Sequence, residues 1–163
     1  MDEMNPQESE FIDRMGLVME RFGGTRTMGR LYAWLMICDP PYQSLTELAA
    51  QLGVSKTAIS TIARQLETGG MIEHVPAQDR QHRYRIVPGG WTQVLRAQFA
   101  AVRPVRETLD FALEFVGEEP RGPRERLEEQ RDFFVFLERD ADEMLERWRQ
   151  YRDKQHNDDR SDA

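Results

Sequence analysis

The segment from residue 44 to residue 68 constrains the fold more than any other part of the chain. Residues 44–47, Ser-Leu-Thr-Glu, have the spacing of a capping box, which predicts that a helix begins at about Leu45. Gly53 can take the positive φ of a tight turn, and Ser55 can cap a second helix over residues 56–68. The sequence therefore predicts two helices that meet across a short turn.

The second of these helices has one apolar and one polar face. Residues Ile59, Ile62 and Leu66 recur at helical spacing and predict burial. A B-DNA major groove admits one α-helix, and small side chains near the start of this helix would let it approach the bases closely. The candidate DNA contacts on its polar side are Ser55, Lys56, Thr57, Ser60, Thr61 and Arg64.

A β-hairpin is predicted after this helix. Residues 71–76 and 83–87 are short and rich in Ile, Val and Tyr, and they flank the polar loop 77–82. Arg80 and Arg83 could reach a flanking groove of DNA. The order of elements predicts a winged helix-turn-helix over residues 25–90, mostly α with a small β-hairpin wing, and so of the α+β class.

The distribution of charge keeps nucleic acid open as a partner. The 163-residue chain has a net charge of -7, which as a total argues against DNA. Residues 54–86 carry five Lys or Arg and three Asp or Glu, whereas residues 117–163 carry ten and fifteen. The basic segment coincides with the predicted second helix and wing, so a polyanion would bind there.

Amphipathic helices flank the predicted winged domain. The N-terminal region 1–24 contains an apolar stripe of Phe11, Met15, Val18 and Phe22, and residues 91–152 form helices that are interrupted at Pro104. Both regions are predicted to form a homodimer interface, and the tail 153–163 is predicted to be too polar to fold. The last helix carries a seam with seven-residue spacing, made of Leu127, Phe134, Leu137, Ala141, Met144, Trp148 and Tyr151.

Other function classes find little support in the residues. The sequence shows no signal, transit peptide or apolar run of membrane length, so a cytoplasmic protein is expected. Cys38 is the single cysteine and is interpreted as a packed thiol. His74 and His82 flank Asp79, but no ligand set is complete, so no metal site is expected. No nucleophile is paired with a base, and neither a catalytic residue nor a cofactor is predicted.

The chain resembles the MarR superfamily of transcriptional regulators, and more narrowly its GbsR-like branch. The resemblance covers roughly residues 14–92 and implies a homodimer that reads a near-palindromic operator. Arg80 and Arg83 fall where the family places its wing arginines, whereas Gln81 and His82 replace a more charged run. The residues that carry the resemblance are 48–56, 59–60, 66–67, 70–73, 79–80, 83–85 and 88–91.

The resulting expectation is a homodimeric repressor that binds double-stranded DNA, with residues 56–68 in the major groove and the wing on a flanking groove. An effector stays open, and the GbsR-like branch suggests a quaternary ammonium compound caged by Trp34, Tyr32, Trp91 and Tyr42. The competing hypothesis is an interaction module, either a winged helix or a helical adaptor, that binds a protein rather than DNA.

Overall fold

The structure, a computed structural model, describes residues 4–76, 82–118 and 121–161, with the side chains of the last helix described as far as residue 155. The chain divides into two units, Met1–Gln93 and Val94–Ala163. This division lies close to the predicted boundary after residue 90. The predicted N-terminal region 1–24 is not separate but belongs to the first unit.

Two closely packed helices open the first unit. Helix α1 (Pro6–Arg21) begins at a capping box of Asn5 and Glu8, and helix α2 (Arg26–Ile37) is capped by Thr25. Gly29 permits the close approach of these helices, because a Cβ there would lie 2.4 Å from the carbonyl oxygen of Met15. The N-terminal helix is thereby joined to the rest of the unit.

The buried face of α1 differs from the predicted stripe. Ile12, Gly16 and Met19 are buried, whereas Val18 and Phe22 are exposed. The glycine decides the orientation, because only a residue without a side chain allows the backbones to meet this closely. Val18 and Phe22 are turned to the surface as a result.

The helix-turn-helix forms as the caps predict. Helix α3 (Leu45–Leu52) ends at Gly53, which has φ of +65°, and helix α4 (Lys56–Thr68) follows. The Glu47 amide donates to Ser44 Oγ at 3.2 Å, and the Ala58 amide donates to Ser55 Oγ at 3.2 Å. The fully buried core of this unit draws on every surrounding helix and includes Ile12, Leu31, Leu48, Ile59, Leu66 and Ile72.

A three-stranded antiparallel sheet completes the wing. Strands β1 (Gln43–Ser44), β2 (Ile72–Val75) and β3 (Arg83–Ile86) lie in the order β1-β3-β2. Ile72 pairs with Ile86 and Val75 with Arg83, which confirms the predicted hairpin. The two-residue strand β1 was not predicted, because two residues show no alternation. Most of the predicted loop, residues 77–81, lies outside the described residues.

Three helices follow: α5 (Gly90–Ala100), α6 (Arg103–Phe115) and α7 (Arg121–Ser161). The predicted interruption near Pro104 is present, because α5 ends at residue 100 and Pro104 lies in the first turn of α6. Charged side chains join α6 to α7 in a network: Arg106 bonds Asp110 at 2.6 Å and Glu138 at 3.2 Å, and Arg131 bonds Asp110 at 2.7 Å.

Helix α7 corrects two expectations. The predicted seam is split, since Ala141 is buried within its own unit while Met144, Trp148 and Tyr151 are exposed. The tail 153–163 was expected not to fold, yet the helix continues through Ser161. Extending an existing helix requires no new nucleus, so a polar segment that buries no face can still continue it.

No helix in the described ranges combines the length and the apolar character needed to cross a membrane.

Candidate nucleic-acid interface

Helix α4 presents the predicted polar face to solvent. Lys56, Thr57, Thr61 and Arg64 are exposed, and Ser60 is half-buried. The opposite side of the helix is anchored in the core by its apolar residues Ile59, Ile62, Ala63 and Leu66. The fold therefore brings the predicted helix residues together on one surface that is free to meet a ligand.

Two polar side chains on this surface bond the helix that carries them. Thr61 Oγ1 donates to the carbonyl of Thr57 at 3.2 Å, and Arg64 Nε donates to the carbonyl of Ser60 at 3.4 Å. Both bonds are exposed, so DNA acceptors can replace them at little cost. A guanidinium presents several donors in a fixed fork, which suits bidentate contact with guanine.

The start of α4 has the chemistry of a phosphate contact. The Ser55 hydroxyl accepts from the amide of Ala58, and the exposed Lys56 side chain begins the first turn. A helix N-terminus carries partial positive charge, and the Lys56 ammonium adds to it. This end of the helix is therefore suited to a backbone phosphate.

The structure describes one of the two predicted wing arginines. Arg83 lies on β3 and is half-buried, with its guanidinium 5.5 Å from the centroid of the Tyr42 ring. This cation–π geometry fixes the side chain at the sheet. Arg80 lies outside the described residues.

Two further residues on the exposed polar face of α4 were not predicted. Gln65 and Thr68 are exposed and line a shallow groove on α4 with Thr61 and Arg64. The same helical period that selected Thr61 and Arg64 continues by one more turn to these two positions. Gln can pair in a bidentate manner with adenine, so Gln65 adds a second candidate base contact.

Tyr84 connects the sheet electrostatically to α4. Burial raises the pKa of the Tyr84 hydroxyl, the Glu67 carboxylate raises it further, and the Arg64 guanidinium opposes them. Glu67 and Arg64 are both on α4. The wing and the candidate recognition helix are therefore close enough to share a field.

Cys38 and the aromatic residues are part of the packing. Burial raises the pKa of the Cys38 thiol, which favours the unreactive protonated form. Tyr32 lies edge-on to Trp91 with ring centroids 6.2 Å apart, as aromatic residues in protein cores commonly do. Tyr42 contacts Arg83 instead, so these aromatic side chains are engaged at different contacts.

Comparison with known proteins decides the family. The HTH-type transcriptional regulator MmpR5 of Mycobacterium tuberculosis (strain ATCC 25618 / H37Rv) is 36% identical over 146 residues, which cover 89% of this chain and 88% of that protein. Residues 89–151 match the family described as MmpR5-like MarR family transcriptional regulator. This chain belongs to the MarR family of transcriptional regulators.

Solved structures agree with this assignment. The crystal structure of a transcriptional regulator is 36% identical, covers 89% of this chain and 99% of that chain, and has a TM-score of 0.71. TrmBL2, an archaeal chromatin protein, is 24% identical with a TM-score of 0.54 and covers 63% of this chain and 39% of that chain, a likeness in fold alone. The winged-helix prediction is confirmed.

The MarR regulator described here is a DNA-binding regulator of transcription, as the sequence predicted. Nothing favours the alternative of a protein-interaction module. The family resemblance is confirmed at the level of MarR, with residues 89–151 matching its MmpR5-like members, and the GbsR-like branch that the sequence suggested is not confirmed.

Proposed function

We propose that α4 is the recognition helix and enters the major groove of an operator. The observation that carries this proposal is the exposed polar face of α4, which is opposed by a fully buried apolar face and capped at its start by Ser55. Arg64 supplies the principal base contact, and Ser55 with Lys56 holds a phosphate. Thr57, Ser60 and Thr61 make mixed contacts.

The wing contacts the flanking groove through Arg80 and Arg83. The contact with Tyr42 holds the Arg83 guanidinium in place, which supports its assignment to a DNA backbone contact. A guanidinium that is already fixed loses little entropy when it binds phosphate. Arg80 is assigned from the resemblance to the family.

A homodimer places two such helices on a near-palindromic site. Each unit leaves large apolar side chains exposed, including Phe22 at 65% in the first unit and Phe111 at 63% in the second. Patches of this kind mark interfaces. Half-sites about one helical turn apart, roughly 34–36 Å centre to centre, suit two symmetric recognition helices.

The regulator acts as a repressor in the cytoplasm, where it competes with RNA polymerase for the DNA that contains the operator. Placement within the GbsR-like branch stays a prediction, and so does an effector. A cavity of about 180 Å³ in the second unit is lined by Arg96, Phe99, Glu138 and Leu145, among others; it is smaller than the roughly 300–1,000 Å³ of typical ligand sites, so only a compact effector would fit it. A ligand of the folded form raises the melting temperature, so a thermal-shift screen with wild type and Glu138→Gln tests this site.

The DNA contact is tested by selecting bound sequences from a random duplex library and measuring affinity for the selected operator. Arg64→Ala should cost about 1–3 kcal/mol and relax preference at one base pair, whereas Lys56→Ala should weaken all sequences and flatten the salt dependence. The control Arg14→Ala removes an exposed arginine of α1 that bonds Glu10. Unchanged base preference in the Arg64 variant would contradict its assignment.

The dimer is tested by sedimentation equilibrium of the full chain. Phe111→Glu and Trp148→Glu place charge on exposed apolar positions and should shift the protein toward monomer. The control Thr46→Glu places the same charge at an exposed position of α3, outside the regions predicted to form the interface. A monomeric wild-type protein at micromolar concentration would refute the dimer.

A further inference from the structure

Two histidine side chains meet at the open end of the wing hairpin. His74 lies on β2 opposite Tyr84 of β3, and His82 lies immediately before β3. Nδ1 of His82 is 2.5 Å from Nε2 of His74, and the ring centroids are 4.6 Å apart. Both side chains are exposed, so this contact is not a by-product of core packing.

The facing nitrogens have the chemistry of a chelate. When both rings are neutral, one facing nitrogen donates a hydrogen and the other accepts it. When that hydrogen moves to the other nitrogen of its own ring, both facing nitrogens have free lone pairs. A divalent metal can then bind between them. Tetrahedral Zn–N bonds of about 2.0–2.1 Å put neighbouring nitrogens about 3.3 Å apart, so a small rotation of the rings completes the geometry.

The surrounding residues hold one ring in place and leave the site open. The His74 ring packs edge-on against the buried ring of Tyr84, at 5.7 Å between centroids. Glu73, the neighbour of His74, points to the other face of the strand and bonds Arg85 at 2.6 Å. In the described part of the chain no group of three or more metal-ligating residues occurs, so the described residues offer an ion two protein ligands here.

We propose that His74 and His82 form a binding site for a late first-row transition-metal ion. Imidazole ligands suit Cu²⁺, Ni²⁺ and Zn²⁺, with Cu²⁺ bound most tightly in the usual order. The bound ion joins the two strands on either side of residues 77–81. This site was not expected from the sequence, because two histidines eight residues apart are not a complete ligand set, and the distance between their rings is set by the pairing of β2 with β3.

The test is calorimetric titration of the untagged full-length protein, without DNA, with Ni²⁺, Zn²⁺ and Cu²⁺ separately. One ion per chain should bind, most tightly for Cu²⁺, and acid should weaken binding because protons compete for the nitrogens. His74→Gln and His82→Gln should each weaken binding by about tenfold or more, since each leaves a single imidazole. His156→Gln, which alters the remaining histidine of the chain, should leave the affinity unchanged.

A second measurement locates the ion. Paramagnetic Ni²⁺ or Cu²⁺ should broaden the amide resonances of His74 and Tyr84 in the wild-type protein and not in the double variant His74→Gln/His82→Gln. Absence of binding to wild type, retained affinity in the double variant, or loss of affinity in His156→Gln would each overturn the proposal. The titration contains no DNA, so its failure leaves the proposed operator contacts intact.

Discussion

The two units of this regulator hold their helices together by different means. In the first unit, apolar side chains from α1 to β3 fill a common core, with Ile12, Leu31 and Leu48 fully buried. In the second unit, Ala141 and Leu145 are the only buried apolar side chains among those that the structure describes. Its helices α6 and α7 are joined instead by the network of Arg106, Asp110, Arg131 and Glu138.

The two kinds of packing suit two different tasks. The proposed recognition helix α4 must be presented rigidly, and the packed core supplies that rigidity within one chain. The second unit leaves Phe111, Phe115, Phe133 and Phe136 exposed, which is costly unless another surface covers them. We therefore expect the first unit to be stable by itself and the second to gain much of its stability from a second copy.

The largest expected effect comes from emptying the core of the first unit. Leu48→Ala should lower the free energy of unfolding by about 2–5 kcal/mol, because Leu48 is fully buried and its loss leaves a cavity. Leu95→Ala, at a residue of the second unit that is 38% exposed, should cost less than about 1 kcal/mol. Urea unfolding of both variants checks this, and equal losses would erase the contrast between the units.

Crowding the α1–α2 contact should have the next largest effect. Gly29→Ala places a methyl group 2.4 Å from the Met15 carbonyl and 2.7 Å from Met19 Cβ, so the helices must separate, at about 1–3 kcal/mol. Gly122→Ala is the matched control in α7, where the nearest atom is the flexible end of Arg126 at 3.4 Å. Thermal unfolding should show a loss for the first variant and a small gain for the second.

Dilution should destabilise the protein if the second unit depends on a partner. For a dimer that unfolds to separate chains, tenfold dilution lowers the unfolding free energy by about 1.4 kcal/mol. Scanning calorimetry at two protein concentrations measures this shift, and Phe111→Glu should abolish it. A melting temperature that does not change with concentration in the wild-type protein would show that the second unit is stable alone.

Acid should weaken the network of the second unit. The hydrogen bond from Arg131, followed by the charges of Arg131 and Arg106, holds the pKa of Asp110 below its ordinary value against the opposing effect of desolvation. The stabilisation from a lowered carboxyl pKa is complete above the unfolded value near 3.8 and is lost as pH falls through the folded pKa.

The comparison that checks this is the melting temperature from neutral pH to about pH 3. Asp110→Asn should fall less steeply than wild type at the acid end, because it has no carboxylate to protonate. The effect is the smallest of the four, since both partners are partly exposed to solvent. Identical acid profiles for wild type and variant would assign the acid sensitivity to other carboxylates.

Local signals in the sequence predicted the helix-turn-helix well. Three signals define it: the capping box at residues 44–47, the left-handed Gly53 and the Ser55 cap. Each joins residues that are close together in the chain, so the amino-acid sequence is enough to recognise it. The interruption near Pro104 was predictable for the same reason. The helical period predicted the polar face of α4, and the same period extends that face to Gln65 and Thr68.

Features that depend on residues far apart in the chain could not be predicted in this way. The predicted buried face of α1 was wrong. Gly16 and Gly29 let the backbones of α1 and α2 approach closely, which fixes the face that is buried, and the spacing of apolar residues carries no information about that approach. The seven-residue repeat in α7 did not separate residues that pack within the unit, such as Ala141, from those that remain exposed, such as Trp148. The position of Arg83 over Tyr42 also required the pairing of β1 with β3.

The order of residues alone was enough to place the ends of α3 and α4, the polar side of α4 and the concentration of positive charge, because capping, helical period and charge are properties of neighbouring residues. Only the tertiary structure decided which apolar residues of α1 and α7 are buried, and only the hairpin pairing brought His74 and His82 within contact distance. Those outcomes depend on the distances at which separate backbones meet, and such distances are fixed by packing between elements.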